Sequence, residues 1–125
     1  MCGIFGLLNK NVNSTFIFND TKIQNAFKLG VNRGPEKSKY ISINNTTEFG
    51  FHRLAINGLN DTSDQPFNIH NCILICNGEI YNYKELYSEN KDFTAVTDSD
   101  CEVIIHMYLK YGIDETLKMI NGEFA

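Results

Sequence analysis

The chain opens with MCGIFGLL (residues 1–8), a run of small and apolar residues with a cysteine at its second position. A secretory signal needs basic residues before its apolar segment and a cleavage site after it, and this run is too short and lacks the basic residues. Short apolar runs are typical of buried strands. The sequence therefore predicts that residues 3–8 form the first strand and that the chain carries no export signal.

Cys2 has chemistry that an internal cysteine lacks. Methionine aminopeptidase removes Met1 when the next residue is small, which leaves one residue with both a thiol and the free α-amino group. An α-amino pKa of about 7.7 to 8.0 lies near the thiol value of about 8.5, so the amine can take the thiol proton directly or through one water. Nucleophile and base would then share a residue, although a cysteine at this position is by itself more often a chance feature.

Local patterns predict the elements of the first half. Asp20 is suited to begin a helix that Gly30 ends, and a Gly-Pro pair forces a loop because proline fixes φ. CILIC (72–76) is apolar throughout, which favours a strand buried on both faces. In chain order we predict a polar turn and short extended piece over 9–19, a helix over 20–29, a loop at 33–35, strands over 40–43 and 48–56, an irregular connection over 57–66 and a strand over 72–76.

Two spacings in the second half are those of a capping box, in which a helix-starting side chain and a later acid each satisfy a backbone N–H of the other residue. They are Asn82 with Glu85 and Ser99 with Glu102. Apolar residues at helical period follow the second box as far as Gly112, which predicts a helix. A short helix over 114–120 and the opening of a strand at 123–125 complete the prediction.

The composition limits the class of partner. The 125 residues carry a formal net charge of −4, whereas binding to a phosphate backbone needs a basic face. No stretch approaches the roughly 18 apolar residues of a membrane-spanning helix. We therefore expect no nucleic-acid or membrane partner and a cytoplasmic location. The four cysteines, at 2, 72, 76 and 101, are expected to be free thiols, because disulfides are rare in reducing compartments.

Six short motifs follow one another along the chain. They are CGIFG (2–6), RGPE (33–36), FHRLAI (51–56), QP (65–66), NGEIYN (77–82) and TDSDCE (97–102). In this order they resemble the class II glutamine amidotransferases, and HRLAI and NGEIYN are similar to the asparagine synthetase type in particular. Taken singly, each has a plain structural explanation. Asn77-Gly78 is a common turn dipeptide, His52 and Arg53 would be surface strand residues, and Asp100 a helix-start acid.

The resemblance implies an α+β fold of the N-terminal-nucleophile type, an αββα sandwich that is incomplete at the C-terminal end of this chain. Residues 1–125 would be part of a type 2 amidotransferase domain, with the synthetase domain absent. The implied reaction is hydrolysis of glutamine to glutamate and ammonia, the ammonia-supplying half of asparagine synthesis from aspartate. It needs no metal or cofactor. ATP and magnesium belong to the missing synthetase domain, which would be a separate partner or a C-terminal half.

The resemblance also assigns catalytic roles. Cys2 would attack the side-chain amide of glutamine and form a γ-glutamyl thioester, which water then hydrolyses. The side-chain amide of Asn77 and the backbone N–H of Gly78 would hold the oxyanion of the tetrahedral intermediate. Glycine at 78 lets the backbone come close to the substrate.

Substrate binding is assigned to a second set of residues. Arg53 offers a planar fork for the α-carboxylate, and Glu79 and Asp100 are acceptors for the α-ammonium group, so a peptide-bound glutamine should be refused. Leu54 and Ile56 would line the glutamine pocket together with Asn77 and Gly78.

A metal site is a weaker interpretation of the same sequence. His70, Cys72 and Cys76 are possible ligands, but in an extended strand the two cysteines would lie about 13 Å apart, too far for one tetrahedral zinc. Cys101 lies at a helix start, where the dipole lowers a thiol pKa, yet its position favours packing in the core.

A second function class is a non-catalytic module that binds glutamine or a partner subunit without turnover. It would be a truncated form of the family's domain, and two observations motivate it. The resemblance covers this whole chain but only about the first two thirds of the family's glutaminase domain, and Asn32, Glu36 and Asp64 stand where the family usually has His, Asp and Gly. A general redox protein is disfavoured, because the sequence lacks a Cys-x-x-Cys motif.

Overall fold

The computed structural model describes residues 2–8, 20–56 and 58–125. The chain forms two compact units, Met1–Ala55 and Ile56–Ala125. Three small antiparallel sheets and three α-helices occur among the described residues, so the α and β content agrees with the predicted class. The turn and extended piece predicted over residues 9–19 lie outside the described ranges.

The described residues of the first unit form a three-stranded sheet and one helix. Its elements are β1 (Gly3–Leu7), α1 (Asp20–Lys28), β2 (Lys37–Asn44) and β3 (Thr47–Arg53). β3 is central, since the strand order is β1-β3-β2 and Gly3 of β1 lies opposite His52. The predicted strands and helix of this unit are confirmed with small shifts in their ends. A 3-10 turn at Val31–Arg33 leads into the predicted loop.

Phe27 of α1 is the main aromatic contact between the helix and its sheet. Its ring stacks on His52 of β3 with centroids 4.1 Å apart, and the Phe5 ring meets its edge at 5.8 Å. A Cβ at Gly50 would lie only 2.4 Å from the Phe27 ring, so the sheet accepts this ring because Gly50 has no side chain. The requirement for glycine at position 50 of β3 therefore comes from the Phe27 ring of α1.

The second unit contains two small sheets and two helices. Its elements are β4 (Phe67–Ile69), β5 (Cys72–Leu74), β6 (Gly78–Ile80), α2 (Tyr83–Glu89), α3 (Val103–Met119) and β7 (Gly122–Phe124), with 3-10 turns at Asp61–Ser63 and Asp100–Glu102. β4 pairs with β5, and β6 pairs with β7, both antiparallel. The strand opening predicted at 123–125 is confirmed as β7.

The strand predicted over residues 72–76 is wrong in two respects. β5 ends at Leu74, and its residues are half-buried instead of buried on both faces. Beyond this end, the backbone of Cys76 bonds to the side chain of Gln65 and not to a strand. An apolar run indicates burial, but it does not show which groups its backbone N–H and carbonyl groups hydrogen-bond to.

The capping box predicted at Asn82 does not form, although α2 begins directly after this residue. The Asn82 side chain accepts from the N–H of Asn121 at 2.8 Å and donates to the carbonyl of Met119 at 3.0 Å. It gives no hydrogen bond to its own helix. Asn82 therefore links the start of α2 to the chain between α3 and β7.

α3 contains a break at Gly112, where φ is 78° and ψ is 171°. Glycine populates this region without the steric cost that a Cβ brings. The Thr116 hydroxyl donates to the Gly112 carbonyl at 2.7 Å, which supports the turn after the break. The two helices predicted on either side of Gly112 are thus present, joined at a kink.

Glu102 is a buried acid that ties down the loop before α3. Its carboxylate accepts from the N–H groups of Val96 (2.8 Å) and Thr97 (2.6 Å), and His106 Nε2 lies 3.0 Å from Oε1. Burial acts to raise the pKa of Glu102, but the hydrogen bonds from Thr97, Val96 and His106 outweigh it and hold the pKa below its ordinary value of 4.5. The second predicted capping box is therefore wrong: the Ser99 hydroxyl caps the turn by accepting from the Cys101 N–H instead of the Glu102 N–H, and the Ser99 N–H bonds to Thr97.

We expect Glu102→Gln to lower the free energy of unfolding by roughly 1–3 kcal/mol at neutral pH, because an amide cannot accept all of these donors. Since the pKa of Glu102 is lower in the folded chain, its contribution is complete above its ordinary pKa and is lost as the pH falls through the lowered value. The difference in Tm between the two proteins should therefore shrink on acidification. Glu115→Gln is the control, because Glu115 pairs with Lys118 at the exposed surface. A pH-independent difference would contradict this account.

Candidate active site

The Cys2 thiol lies at the end of β3, within the first unit. Leu54, the first residue after β3, donates its N–H to Cys2 Sγ at 3.4 Å, and the thiol donates to the Leu54 carbonyl at 3.3 Å. Cys2 lies directly beyond the last pair of the β1–β3 ladder, Gly3 with His52. The half-buried thiol is therefore fixed by the backbone directly after Arg53.

His52 and Arg53 are buried, so their interpretation as surface strand residues is wrong. His52 Nε2 lies 2.8 Å from the Phe27 carbonyl, and Nδ1 lies 2.7 Å from the Ser38 hydroxyl. Both ring nitrogens are thus occupied by structural contacts. Arg53 follows at the end of β3 and is 8% exposed, which leaves only a small part of it in contact with solvent.

The predicted loop at Arg33-Gly34-Pro35 packs against the backbone of this same strand end. A Cβ at Gly34 would lie 2.1 Å from the His52 carbonyl oxygen, so only glycine permits the approach. Glu36 then donates its N–H to the Arg53 carbonyl at 3.2 Å, and its carboxylate accepts from Ala55 N–H at 3.0 Å. The glutamate that departs from the family pattern therefore still braces residues 53–55.

Asn77 and Gly78 are not a turn in the second unit. Asn77 exchanges both backbone hydrogen bonds with Ala125, at 2.9 and 3.0 Å, and Gly78 begins β6 opposite Phe124. Backbone groups in an antiparallel pair alternate between the two edges of a strand. The Gly78 N–H therefore points to the edge of β6 that faces away from β7.

Asp100 lies at that same edge of β6. Its Oδ2 accepts from the Ile80 N–H at 2.6 Å, and the Cys101 thiol next to it donates to the Gly78 carbonyl at 3.7 Å. Asp100 is buried, whereas Glu79 is exposed, so the two predicted acceptors of the substrate ammonium differ in environment. The Gly78 N–H and Asp100 thus lie at the same edge of β6 within the second unit.

A second constraint fixes glycine at position 78. A Cβ there would lie 2.3 Å from the Glu123 carbonyl oxygen and 2.5 Å from Phe124 Cα. Both atoms belong to the backbone of β7, which cannot move without breaking the pair. Glycine is therefore required by the strand pairing as well as by the proposed access to substrate.

The remaining predicted pocket residues are Leu54 and Ile56. Leu54 is half-buried beside Cys2 in the first unit, and Ile56 is exposed at the start of the second. Their contact with substrate stays a prediction.

The thiols of the described residues are free, as expected. Cys76 and Cys101 are buried in one cluster with Phe67, Ile69 and Ile105, which confirms a packing role for Cys101. The neighbouring Cys76 thiol raises the pKa of Cys101, and burial and the Asp100 carboxylate add to the effect. Both thiols are buried, with Cys76 4% and Cys101 3% exposed, which leaves them little contact with solvent.

Sequence reasoning missed the functions of Gln65, His52 and Glu102. Each is a buried polar side chain, and those of Gln65 and His52 bond to residues 11 and 25 positions away, whereas Glu102 bonds within six positions. In the sequence, Gln65 stands out only as part of the short motif Gln65-Pro66. A polar residue at a buried position would have been the signal, but burial at these positions does not show in the sequence.

Within residues 2–8, 20–56 and 58–125, no group of three or more His, Cys, Asp or Glu side chains is arranged to hold a metal ion. The zinc interpretation of His70, Cys72 and Cys76 therefore has no support there. None of the helices in the described part of the chain is long and apolar enough to span a membrane.

The comparison with protein families covers the whole chain. Residues 1–125 match the glutamine amidotransferase domain family, and the chain belongs to it. The relatives include the glutamine-hydrolysing asparagine synthetases of Bos taurus and Homo sapiens, each 34% identical, and that of Gallus gallus, 35% identical. Each alignment covers 100% of this chain and 22% of the relative. The resemblance to amidotransferases of the asparagine synthetase type is confirmed.

Proposed function

We propose that this chain hydrolyses glutamine to glutamate and ammonia with Cys2 as the nucleophile. The observation that carries the proposal is the thiol held at 3.3 and 3.4 Å by the Leu54 backbone, directly after the buried Arg53, in a chain of the amidotransferase family. A nucleophile must be held in place to attack efficiently, and these contacts fix its position.

The proposed reaction has two halves. After removal of Met1, the α-amino group takes the Cys2 thiol proton, the sulfur attacks the side-chain carbonyl carbon, and the amide nitrogen leaves with that proton as ammonia. The acyl group stays on sulfur as a thioester. Water then adds to the thioester carbonyl and releases glutamate and the free thiol. Every atom comes from glutamine, water or the protein, so this step takes no cofactor.

Backbone geometry supports the proposed oxyanion donors. The Gly78 N–H points away from β7, and the backbone of Asn77 is held by Ala125, which leaves the Asn77 side-chain amide as a donor. Preorganised donors of this kind stabilise the negative oxygen of the tetrahedral intermediate.

Charge complementarity supports the proposed selection of free glutamine. Arg53 would bind the α-carboxylate, and Asp100, with Glu79, would bind the α-ammonium group. Leu54 and Ile56 would contact the aliphatic part of the substrate. A glutamine inside a peptide lacks both charges and would be refused.

The wider role is proposed from the relatives alone. The ammonia would serve the synthesis of asparagine from aspartate in a synthetase domain that uses ATP and magnesium, and that domain would be a separate chain or a C-terminal part. We also propose the finer fold, an αββα sandwich of which residues 1–125 form an incomplete part, and a cytoplasmic location.

The test is release of glutamate and ammonia from glutamine by protein shown by mass spectrometry to begin at Cys2. We expect turnover with glutamine and none with a glutamine-containing peptide. Protein that retains Met1 is the matched control, because its Cys2 has no free amine. A thermal transition raised by glutamine without any turnover would contradict the proposal and favour a binding module.

A further inference from the structure

The side chain of Gln65 makes the two backbone hydrogen bonds to Cys76 that a neighbouring strand would otherwise make. Its side-chain Oε1 accepts from the Cys76 N–H at 2.6 Å, and its Nε2 donates to the Cys76 carbonyl at 3.0 Å. The side chain is 5% exposed, so these bonds are shielded from water. One amide therefore satisfies both backbone groups of Cys76, as a neighbouring strand residue would.

Cys76 lies between β5 and β6, directly before Asn77. Because backbone groups alternate along an extended chain, the N–H groups of Cys76, Gly78 and Ile80 share the edge that faces away from β7. The first bonds to Gln65 and the third to Asp100 at 2.6 Å. Gln65 and Asp100 thus bond to the N–H groups on either side of the Gly78 N–H, and neither of them bonds to the Gly78 N–H itself.

We propose that Gln65 is a positioning residue that holds the oxyanion donors at 77 and 78. Its two hydrogen bonds fix the position and orientation of the Cys76 peptide groups directly before Asn77. The bonds between Asn77 and Ala125 fix the backbone on the edge that faces β7. Gln65 makes its contacts with protein backbone and not with substrate. This inference rests on the proposed function and adds to it a residue that positions the groups that bind the transition state.

The proposal predicts an effect on kcat more than on KM. Oxyanion donors act on charge that develops in the transition state, whereas the groups proposed to bind the amino acid act in the ground state as well. A shift of about 1 Å in such donors costs on the order of 10²-fold in rate. We expect Gln65→Met, which has a similar shape and neither amide group, to lower kcat by roughly 10- to 100-fold.

Gln65→Glu gives the sharper test because its effect depends on pH. A protonated carboxyl can accept from the Cys76 N–H and donate to the Cys76 carbonyl, as the native amide does. The ionised form can only accept, and it places negative charge against the carbonyl oxygen. The ratio of variant to wild-type kcat should therefore rise as the pH falls, while the ratio for Gln65→Met stays flat.

Asn90→Asp is the matched control, since it makes the same amide-to-acid change at a buried site away from β6. Asn90 is 3% exposed, and its side chain donates to the Leu86 carbonyl and accepts from Tyr111 and from Lys110. We expect this variant to lose stability without a pH-dependent change in its kcat ratio. An equal pH dependence for Asn90→Asp would overturn the proposal, because general destabilisation would then explain it.

The deciding experiment adds a readout that needs no turnover. Amide resonances and hydrogen exchange at Cys76, Asn77 and Gly78 are recorded by NMR for wild type, Gln65→Met and Asn90→Asp below their melting temperatures. We expect Gln65→Met alone to expose the Cys76 amide and shift the Gly78 resonance. Unchanged signals at these three residues, or an unchanged kcat in an active wild type, would overturn the positioning role. A wild type without turnover would refute the proposed function and leave the NMR result to decide this inference.

Discussion

Replacing Cys2 with alanine is expected to lower glutamine hydrolysis by about 10³-fold or more, because the acyl group then has no sulfur to accept it. The fold should persist. Cys2 contributes two weak sulfur contacts to Leu54, whereas the β1–β3 pairing from Gly3 to Leu7 does not need the thiol. Rates of glutamate release and thermal melting of the two proteins check both parts.

Cys72→Ala is the control for this prediction. Cys72 is another half-buried thiol, but it belongs to β5 in the second unit and has no assigned chemistry. Its activity should stay near that of the wild type. Equal activity in Cys2→Ala and wild type would remove the basis for the proposed mechanism.

Asn77→Ala is expected to lower kcat by about 10²–10³-fold, the usual cost of losing one oxyanion donor. The backbone of Asn77 keeps its two bonds to Ala125 whatever its side chain, so β6 and β7 should remain paired. KM should change little, because the lost contact acts on the tetrahedral intermediate. Steady-state kinetics with glutamine is the measurement.

Asn68→Ala is the matched substitution for this second prediction. Asn68 is an exposed asparagine of β4 that pairs with Ile73 through its backbone. The substitution should leave kcat unchanged. A fall in kcat of similar size in both variants, or a rise in KM alone in Asn77→Ala, would contradict the oxyanion role.

Much of the fold follows from local sequence, because the deciding signals lie within a few residues of each other. β1 is an apolar run, α1 begins at Asp20 before the predicted Gly30 stop, and Gly112 marks the break in α3. The strand predicted for CILIC (72–76) is wrong because its apolar pattern is also a purely local signal. Its apolar residues predict more burial than β5 has, and they give no sign that the backbone of Cys76 bonds to Gln65, 11 positions earlier.

In the candidate site as well, the sequence identifies the proposed functional residues but not the contacts that support them. Motif order along the chain singled out Cys2, Arg53, Asn77 and Asp100, and these residues lie at strand ends and edges in their own units. The supporting contacts were beyond the sequence, since His52 meets Phe27 across 25 positions. Glu102 had the spacing of a capping box, and only the fold shows that its carboxylate binds the loop at 96 and 97.

The central claim is that Cys2 forms a covalent bond to the acyl group of glutamine, and trapping that intermediate tests it most directly. Protein that begins at Cys2 is mixed with glutamine, quenched in acid and digested, and the N-terminal peptide is weighed by mass spectrometry. We predict a γ-glutamyl adduct on the peptide that contains Cys2, absent from Cys2→Ala and from protein that retains Met1. Glutamate release without this adduct, or an adduct on Cys72, Cys76 or Cys101 instead, would contradict the account.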